Sequence, residues 1–244
     1  MPPEAPVRLL VVVPAWNEEA SVGDVVCGLR GLGHDVVVVD DGSRDATSRV
    51  ARDHGAMVVR LPVNLGVGAA MRCGFRFAVE RGYDAVVQCD ADGQHSPARI
   101  VTLLDAQAAT GAHMVIGSRF GTGGAEDYAV GRLRRMAMRL LARSASKATG
   151  TRITDATSGF RIIVQPLLGA FAATFPDNYL GDTYEAVVSA GRAGYRVAEV
   201  AVPMRQREHG SSSASPRAAL QFTVRAVIVV AARLHFQIRP LGSA

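Results

Sequence analysis

The sequence predicts an α/β fold, a mostly parallel sheet covered by helices, and three observations lead there. Short runs rich in valine, leucine and isoleucine recur at 7–13, 35–39, 56–60, 84–89 and 113–117, each as long as a strand buried on both faces. Amphipathic stretches of helical length separate them, at 20–32, 44–54, 66–81 and 97–110. Parallel strands need such crossovers to return, so this alternation is the mark of repeated strand–helix–strand units. Polar, turn-forming residues follow the strands directly, where loops at the C-terminal edge of such a sheet hold ligands.

Each element has a local reason. The first strand, 7–13, ends at Pro14, which lacks the N–H a ladder needs. The helix over 97–110 is entered through Ser96 as N-cap, with Pro97 in the first helical position. Past residue 117 the alternation breaks. Residues 121–127 form a Gly-rich loop expected to move, and 130–148 a strongly basic helix with Arg132, Arg134, Arg135, Arg139, Arg143 and Lys147. A strand over 158–164, a helix over 182–193 and a strand over 195–202, stopped by Pro203, follow. A Ser-rich loop covers 205–215 and a last helix 216–236. With no internal repeat and no linker, the chain reads as one compact domain over 1–215 and a C-terminal amphipathic helix and tail over 216–244.

Bulk properties narrow the function. The 244 residues are 48% hydrophobic and 20% charged, enough for a sizeable core in one domain. The net charge of +5 is almost all arginine, with Lys147 the only lysine, and a composition rich in Arg and Ala is most simply a coding bias. Aromatic residues at 6% argue against a base-stacking surface, so no nucleic-acid partner is expected. Cys27, Cys73 and Cys89 lack metal-ligand spacing and fit reduced core thiols of a cytoplasmic protein. The start, MPPEAPVRLL, has no export signal. The apolar run 226–232 covers ~10 Å as a helix, against ~30 Å of bilayer core, so it is not expected to span.

The most informative stretch is DADGQH at 90–95, following a strand. In an extended backbone, residues two apart share a face, so Asp90 and Asp92 are expected to crowd together. Two carboxylates ~5 Å apart repel by about 3 kcal/mol at an effective dielectric of 20. A proton, an arginine or a divalent cation relieves that, and oxygen-only ligands favour Mg²⁺ or Mn²⁺. An isolated D-x-D is more often a solvated turn. Here, however, PAWNEE (14–19), DDGSRD (40–45) and NLG (64–66) stand at other strand ends and converge on the same cleft. No G-x-G-x-x-G follows the first strand and no G-K-[ST] occurs, so a dinucleotide enzyme or P-loop NTPase fits poorly.

This order of motifs resembles the inverting glycosyltransferases of family 2, which have the Rossmann-like GT-A fold. The resemblance rests on VVVPAWNEEASV (11–22), VVVVDDGSRDAT (36–47), NLGVGAAMRCGF (64–75), DADGQHSP (90–97), GSRF (117–120) and TSGFR (157–161). It covers roughly residues 7–215. Within the family, DADGQH and REHGSS (207–212) look most like the dolichyl- or polyprenyl-phosphate sugar synthases. The basic residue common after the R-x-x-G-x-S motif is Ser213 here, a departure that weakens the lipid-phosphate reading specifically.

The resemblance implies roles. Pro14, Trp16 and Glu18 cup the nucleoside of the donor, and Asp41 accepts a hydrogen bond from its base. Asp90, Ala91 and Asp92 face the ribose and the metal, with Gln94 completing the metal's oxygen shell. Asp182, Glu185 and Asp155 are candidates for a catalytic base, needed only if the acceptor is an alcohol. Arg119, Arg132, Arg207 and Ser212 are assigned to phosphate groups and the acceptor, because the guanidinium fork matches phosphate oxygens. Plainer alternatives stand beside these: a surface aromatic for Trp16, a helix cap for Asp182, an N-terminal helix acid for Asp45 and a loop-ordering ring for His95. The last helix, with Arg217, Gln221 and Arg225 on one face, can lie in a membrane interface, pack on the core or join a homo-oligomer.

The expected function is metal-dependent, inverting transfer of a sugar from a nucleoside-diphosphate sugar, with a polyprenyl phosphate as favoured acceptor. Transfer to a saccharide or small-molecule hydroxyl is the rival among enzymes. A non-catalytic nucleotide-sugar-binding protein is the rival outside them.

Overall fold

The computed structural model describes residues 7–120, 132–175, 182–203, 224, 228 and 237–242. Strands β1 (Leu9–Ala15), β2 (Asp35–Asp40), β3 (Met57–Arg60), β4 (Ala85–Gln88) and β5 (Met114–Ser118) alternate with helices α1 (Val22–Gly31), α2 (Thr47–Asp53), α3 (Val67–Glu80) and α4 (Ile100–Thr110). Helix α5 (Arg132–Thr149), β6 (Arg161–Val164), α6 (Leu167–Thr174), α7 (Asp182–Arg192) and β7 (Val197–Ala201) complete the order.

The seven strands form one sheet in the order β3-β2-β1-β4-β6-β5-β7. Four of its six pairings are parallel, while β6 runs antiparallel to both β4 and β5. The sheet is therefore mostly parallel, as the alternation predicts. Its one reversed strand needs no crossover helix, so the alternation carries no sign of it.

The period of two in the strands splits the core into two layers. Leu10, Val12, Val37, Val39, Val86, Met114 and Ile116 face the layer of α3, α5, α6 and α7. Val11, Val13, Val36, Val38, Val87 and Val115 face α1, α2 and α4. Helix α3 lies so close to the sheet that a Cβ at Gly74 would overlap the Val12 side chain. The arrangement is a Rossmann-like three-layer sandwich.

Several local expectations are corrected. The helix expected from 97 begins as a 3₁₀ turn, Pro97–Arg99, and the Ser96 hydroxyl makes no capping bond. Helix α6, absent from the sequence reading, packs on α3 through Phe75, Phe171 and Phe175, whose rings meet at 5.1–5.7 Å. Its eight residues are too short for helical periodicity to show. Cys89 is a buried thiol, but Cys27 is exposed and Cys73 half-buried. The 121–127 loop and the 215/216 boundary lie outside the described residues, as does the 216–236 helix apart from Val224 and Ile228, both helical. Among the described residues no helix is long and apolar enough to cross a membrane.

Candidate active site

The strand order reverses between β1 and β4, each the other's neighbour, and open sheets of this kind bind ligands beyond such a point. A cleft of about 240 Å³ opens there, and Pro14, Trp16, Glu18, Asp41, Asp90, Ala91 and Asp92 all line it. Asn64 and Gly66, from the NLG motif expected at the cleft, add a wall together with Val67, which the sequence reading did not assign to the site.

Hydrogen bonds between neighbouring loops shape that cleft. After β1, Asn17 adopts a left-handed φ of 54°, its N–H donates to Ser43 Oγ at 2.9 Å and its Oδ1 accepts the Arg44 N–H at 2.9 Å. The Glu18 N–H donates to Thr47 Oγ1 at 2.9 Å, and the Ser21 hydroxyl donates to Glu18 Oε2 at 2.6 Å. After β2, fully buried Asp40 accepts from the Ser43 N–H at 2.8 Å and from the Ser48 hydroxyl, with Arg60 Nε at 3.6 Å. Asp40 is thus a structural anchor. Asp41 accepts the N–H groups of Leu65 (2.7 Å) and Gly66 (2.8 Å), one on each oxygen, which ties the loop after β3 to the cleft. Gly42, at φ 70°, runs against the Val63–Asn64 backbone, where a Cβ would lie 2.5 Å from a carbonyl carbon. Asp45 accepts the Thr47 N–H at 3.0 Å and serves the start of α2.

The carboxylate pair stands differently from the extended geometry expected. Strand β4 stops at Gln88, and Asp90–Asp92 leave the sheet into a turn closed by the Gln94 N–H donating to Asp92 Oδ1 at 3.1 Å. Both aspartates still line the cleft, through the turn rather than through strand alternation. Buried His95 accepts the Asp90 N–H on Nδ1 at 3.1 Å and stacks on Phe160 with centroids 5.0 Å apart. It orders the loop. Gly159 closes the far side of Asp90, where a Cβ would lie 2.6 Å from Oδ2.

The donor set suits a hard divalent cation. Two cleft-lining carboxylates offer oxygen, while burial, then the charges of Asp90 and Asp92, push the Cys89 thiol well above its usual range, so it stays protonated. Among the described residues no group of three or more His, Cys, Asp or Glu forms a closed metal cage. An open two-carboxylate site leaves positions for phosphate oxygens and water, as Mg²⁺ prefers.

Apart from the residues that line the cleft, Asp155 is buried and gripped by Arg119. Nε donates to Oδ2 at 2.6 Å, Nη2 to Oδ1 at 2.7 Å, and the Arg119 N–H to Oδ2 at 3.2 Å. Thr157 Oγ1 lies 3.1 Å from Asp155 and 2.9 Å from Arg119 Nη2. Two sequence candidates, one for base and one for phosphate binding, are therefore partners of each other. Asp182 and Glu185 fall on the first turn of α7, with Glu185 half-buried. Arg161, buried in β6 and missed by the sequence reading, donates from Nη1 to the Thr183 carbonyl at 3.4 Å and ties that turn to the sheet. The side chains of Arg132 and Asp182, and all of Arg207 and Ser212, lie outside the described residues.

A Rossmann-like sheet with one reversed strand and a carboxylate turn after β4 defines the GT-A class. Solved structures agree: glucosyl-3-phosphoglycerate synthase from Mycobacterium tuberculosis, in complex with Mn²⁺, UDP-glucose and phosphoglyceric acid, superposes with a TM-score of 0.65 over 93% of this chain and 80% of its own, at 22% identity. The chain belongs to glycosyl transferase family 2, whose model matches residues 10–169, and is a glycosyltransferase. It is 33% identical to an undecaprenyl-phosphate mannosyltransferase of Micrococcus luteus, over 85% of this chain and 88% of that one. It is 32% identical to a polyprenol monophosphomannose synthase of Mycolicibacterium smegmatis, over 85% and 81%.

Proposed function

We propose that the protein transfers a sugar, with inversion, from a nucleoside-diphosphate sugar to a polyprenyl (dolichyl-type) phosphate, using Mg²⁺ or Mn²⁺ at Asp90 and Asp92. The observation that carries this is the extent of likeness: two relatives named for polyprenyl-phosphate or polyprenol mannosylation each match 85% of this chain and most of their own length. Ser213, the departure from the acceptor motif, lies outside the described residues.

In this reading Trp16, 52% exposed beside the cleft, offers its indole face to the base or ribose. Pro14 and Glu18 bound the same pocket, and Asp41 has lone pairs left for a base N–H beyond its two backbone donors. Asp90 and Asp92 hold the divalent ion, with Gln94 beside them, and the ion when bound neutralises charge on the departing diphosphate. The acceptor phosphate is already ionised at neutral pH. Its oxygen forms the new bond to the sugar's C1 from the face opposite the breaking C1–O bond, whose electron pair leaves with the diphosphate. No strong base is required, so Asp155 acts through Arg119, and Asp182 and Glu185 would serve as bases only for an alcohol acceptor. Arg119, Arg132, Arg207 and Ser212 hold the acceptor phosphate, and the 216–236 helix rests peripherally on the bilayer that carries the lipid.

The test incubates the protein with Mn²⁺ or Mg²⁺, radiolabelled GDP- and UDP-sugars and undecaprenyl phosphate in detergent. Label entering the organic phase is expected; label only in water-soluble product overturns the acceptor. Asp92→Ala removes a stabilisation of several kcal/mol, so the rate falls ~100-fold or more. An unchanged rate overturns the metal assignment.

A further inference from the structure

On β7, in register with Ile116 of β5, Glu199 turns its carboxylate to the loop before β6. Its Oε2 accepts two successive backbone N–H groups, those of Thr154 at 2.7 Å and Asp155 at 2.9 Å. Its Oε1 accepts the Thr154 hydroxyl at 2.5 Å. The same Thr154 oxygen lies 3.0 Å from Ser118 Oγ, one residue before Arg119. One carboxylate thus fixes the backbone of Asp155 and, through Thr154, the end of β5 that carries its partner.

We infer that Glu199 is a positioning residue for acceptor binding: it holds the 154–155 backbone so that buried Asp155 presents Arg119 in one orientation. The inference rests on the acceptor reading given above for Arg119. The physical case is a chain of charge-assisted contacts. A carboxylate that receives adjacent backbone N–H groups holds that backbone more firmly than neutral hydrogen bonds would. Asp155 cannot shift without pulling three donors of Arg119.

The experiment compares Glu199→Ala, Glu199→Gln and Arg119→Ala in the full chain. Undecaprenyl phosphate KM and kcat are measured by label transfer, and nucleotide binding by fluorescence of Trp16, the only tryptophan. Glu199→Ala is expected to raise the acceptor KM about tenfold, with nucleotide affinity unchanged. Amide exchange at Thr154 and Asp155 should quicken. Glu199→Gln keeps one acceptor oxygen for the N–H pair and a donor for Thr154 Oγ1, so it should recover most of the KM. If Arg119→Ala raises the KM while Glu199→Ala does not, or lowers only the melting temperature, the Glu199 inference is wrong. If Arg119→Ala itself leaves the KM unchanged, the acceptor reading of Arg119 has failed instead.

Discussion

Replacing Gly159 with alanine separates stability from activity at the carboxylate turn. The new Cβ would lie 2.6 Å from Asp90 Oδ2, 2.9 Å from Oδ1 and 3.1 Å from Cγ. A carbon–oxygen contact needs about 3.3 Å, so the carboxylate must retreat by roughly 0.7 Å. It can do so cheaply, because it ends a flexible side chain that is 38% exposed. Gly159 also has an ordinary φ, so alanine gains about 0.4–1 kcal/mol by restricting the unfolded chain. Strain and gain nearly cancel, and Tm should move by only a few degrees. The carboxylate, however, leaves its place in the cleft, and a displacement of this order costs up to ~100-fold in rate. Initial rates of label transfer and thermal melts are measured on the same preparation. Wild-type kcat/KM in Gly159→Ala would refute the reasoning. So would a collapse of Tm, which would make Gly159 a folding residue and not the spacer of Asp90.

Two further outcomes follow from the packing. Gly74→Ala drives a methyl into Val12 between α3 and β1, and overpacking of this kind costs about 1–3 kcal/mol; urea unfolding should show that loss, and an unchanged midpoint would mean that α3 can slide. His113 is one pH-sensitive group among the described residues, and burial lowers the pKa of His34 in the same direction. Burial, then the nearby Arg196 charge, lower the pKa of His113, and its Nδ1 accepts the Arg196 N–H at 3.0 Å, a bond that protonation of that nitrogen would break. The unfolded chain therefore binds the proton more readily than the folded one. This stability is present above the unfolded pKa of about 6.5 and is lost as pH falls from there towards the lowered folded value. Urea midpoints from pH 7.5 to 5 should decline, less so in His113→Gln, and an equal slope in both would exclude His113.

Much of the fold was legible because its signals are local. Buried parallel strands show as valine runs, and their helices show as amphipathic stretches of ten or more residues. The lining of the cleft was legible for the same reason: Pro14, Trp16, Asp41, Asp90 and Asp92 stand at strand ends, and strand ends meet at one edge of such a sheet. Helix α6 escaped because eight residues give too little periodicity. The strand over 158–164 was expected, but the reversal of β6 escaped because strand direction leaves no trace in the strand's composition.

What the sequence by itself determined is the chemistry available: carboxylates at 90 and 92, an indole at 16 and the family to which their order belongs. Tertiary structure alone decided the partnerships. Arg119 and Asp155 lie 36 residues apart and read as separate candidates, yet they form one bidentate pair. Glu199 looks like an ordinary strand acid until β7 places it beneath Thr154 and Asp155. The physical reason is that residue type sets what a side chain can donate or accept, while its partner is set by which strands the sheet brings side by side.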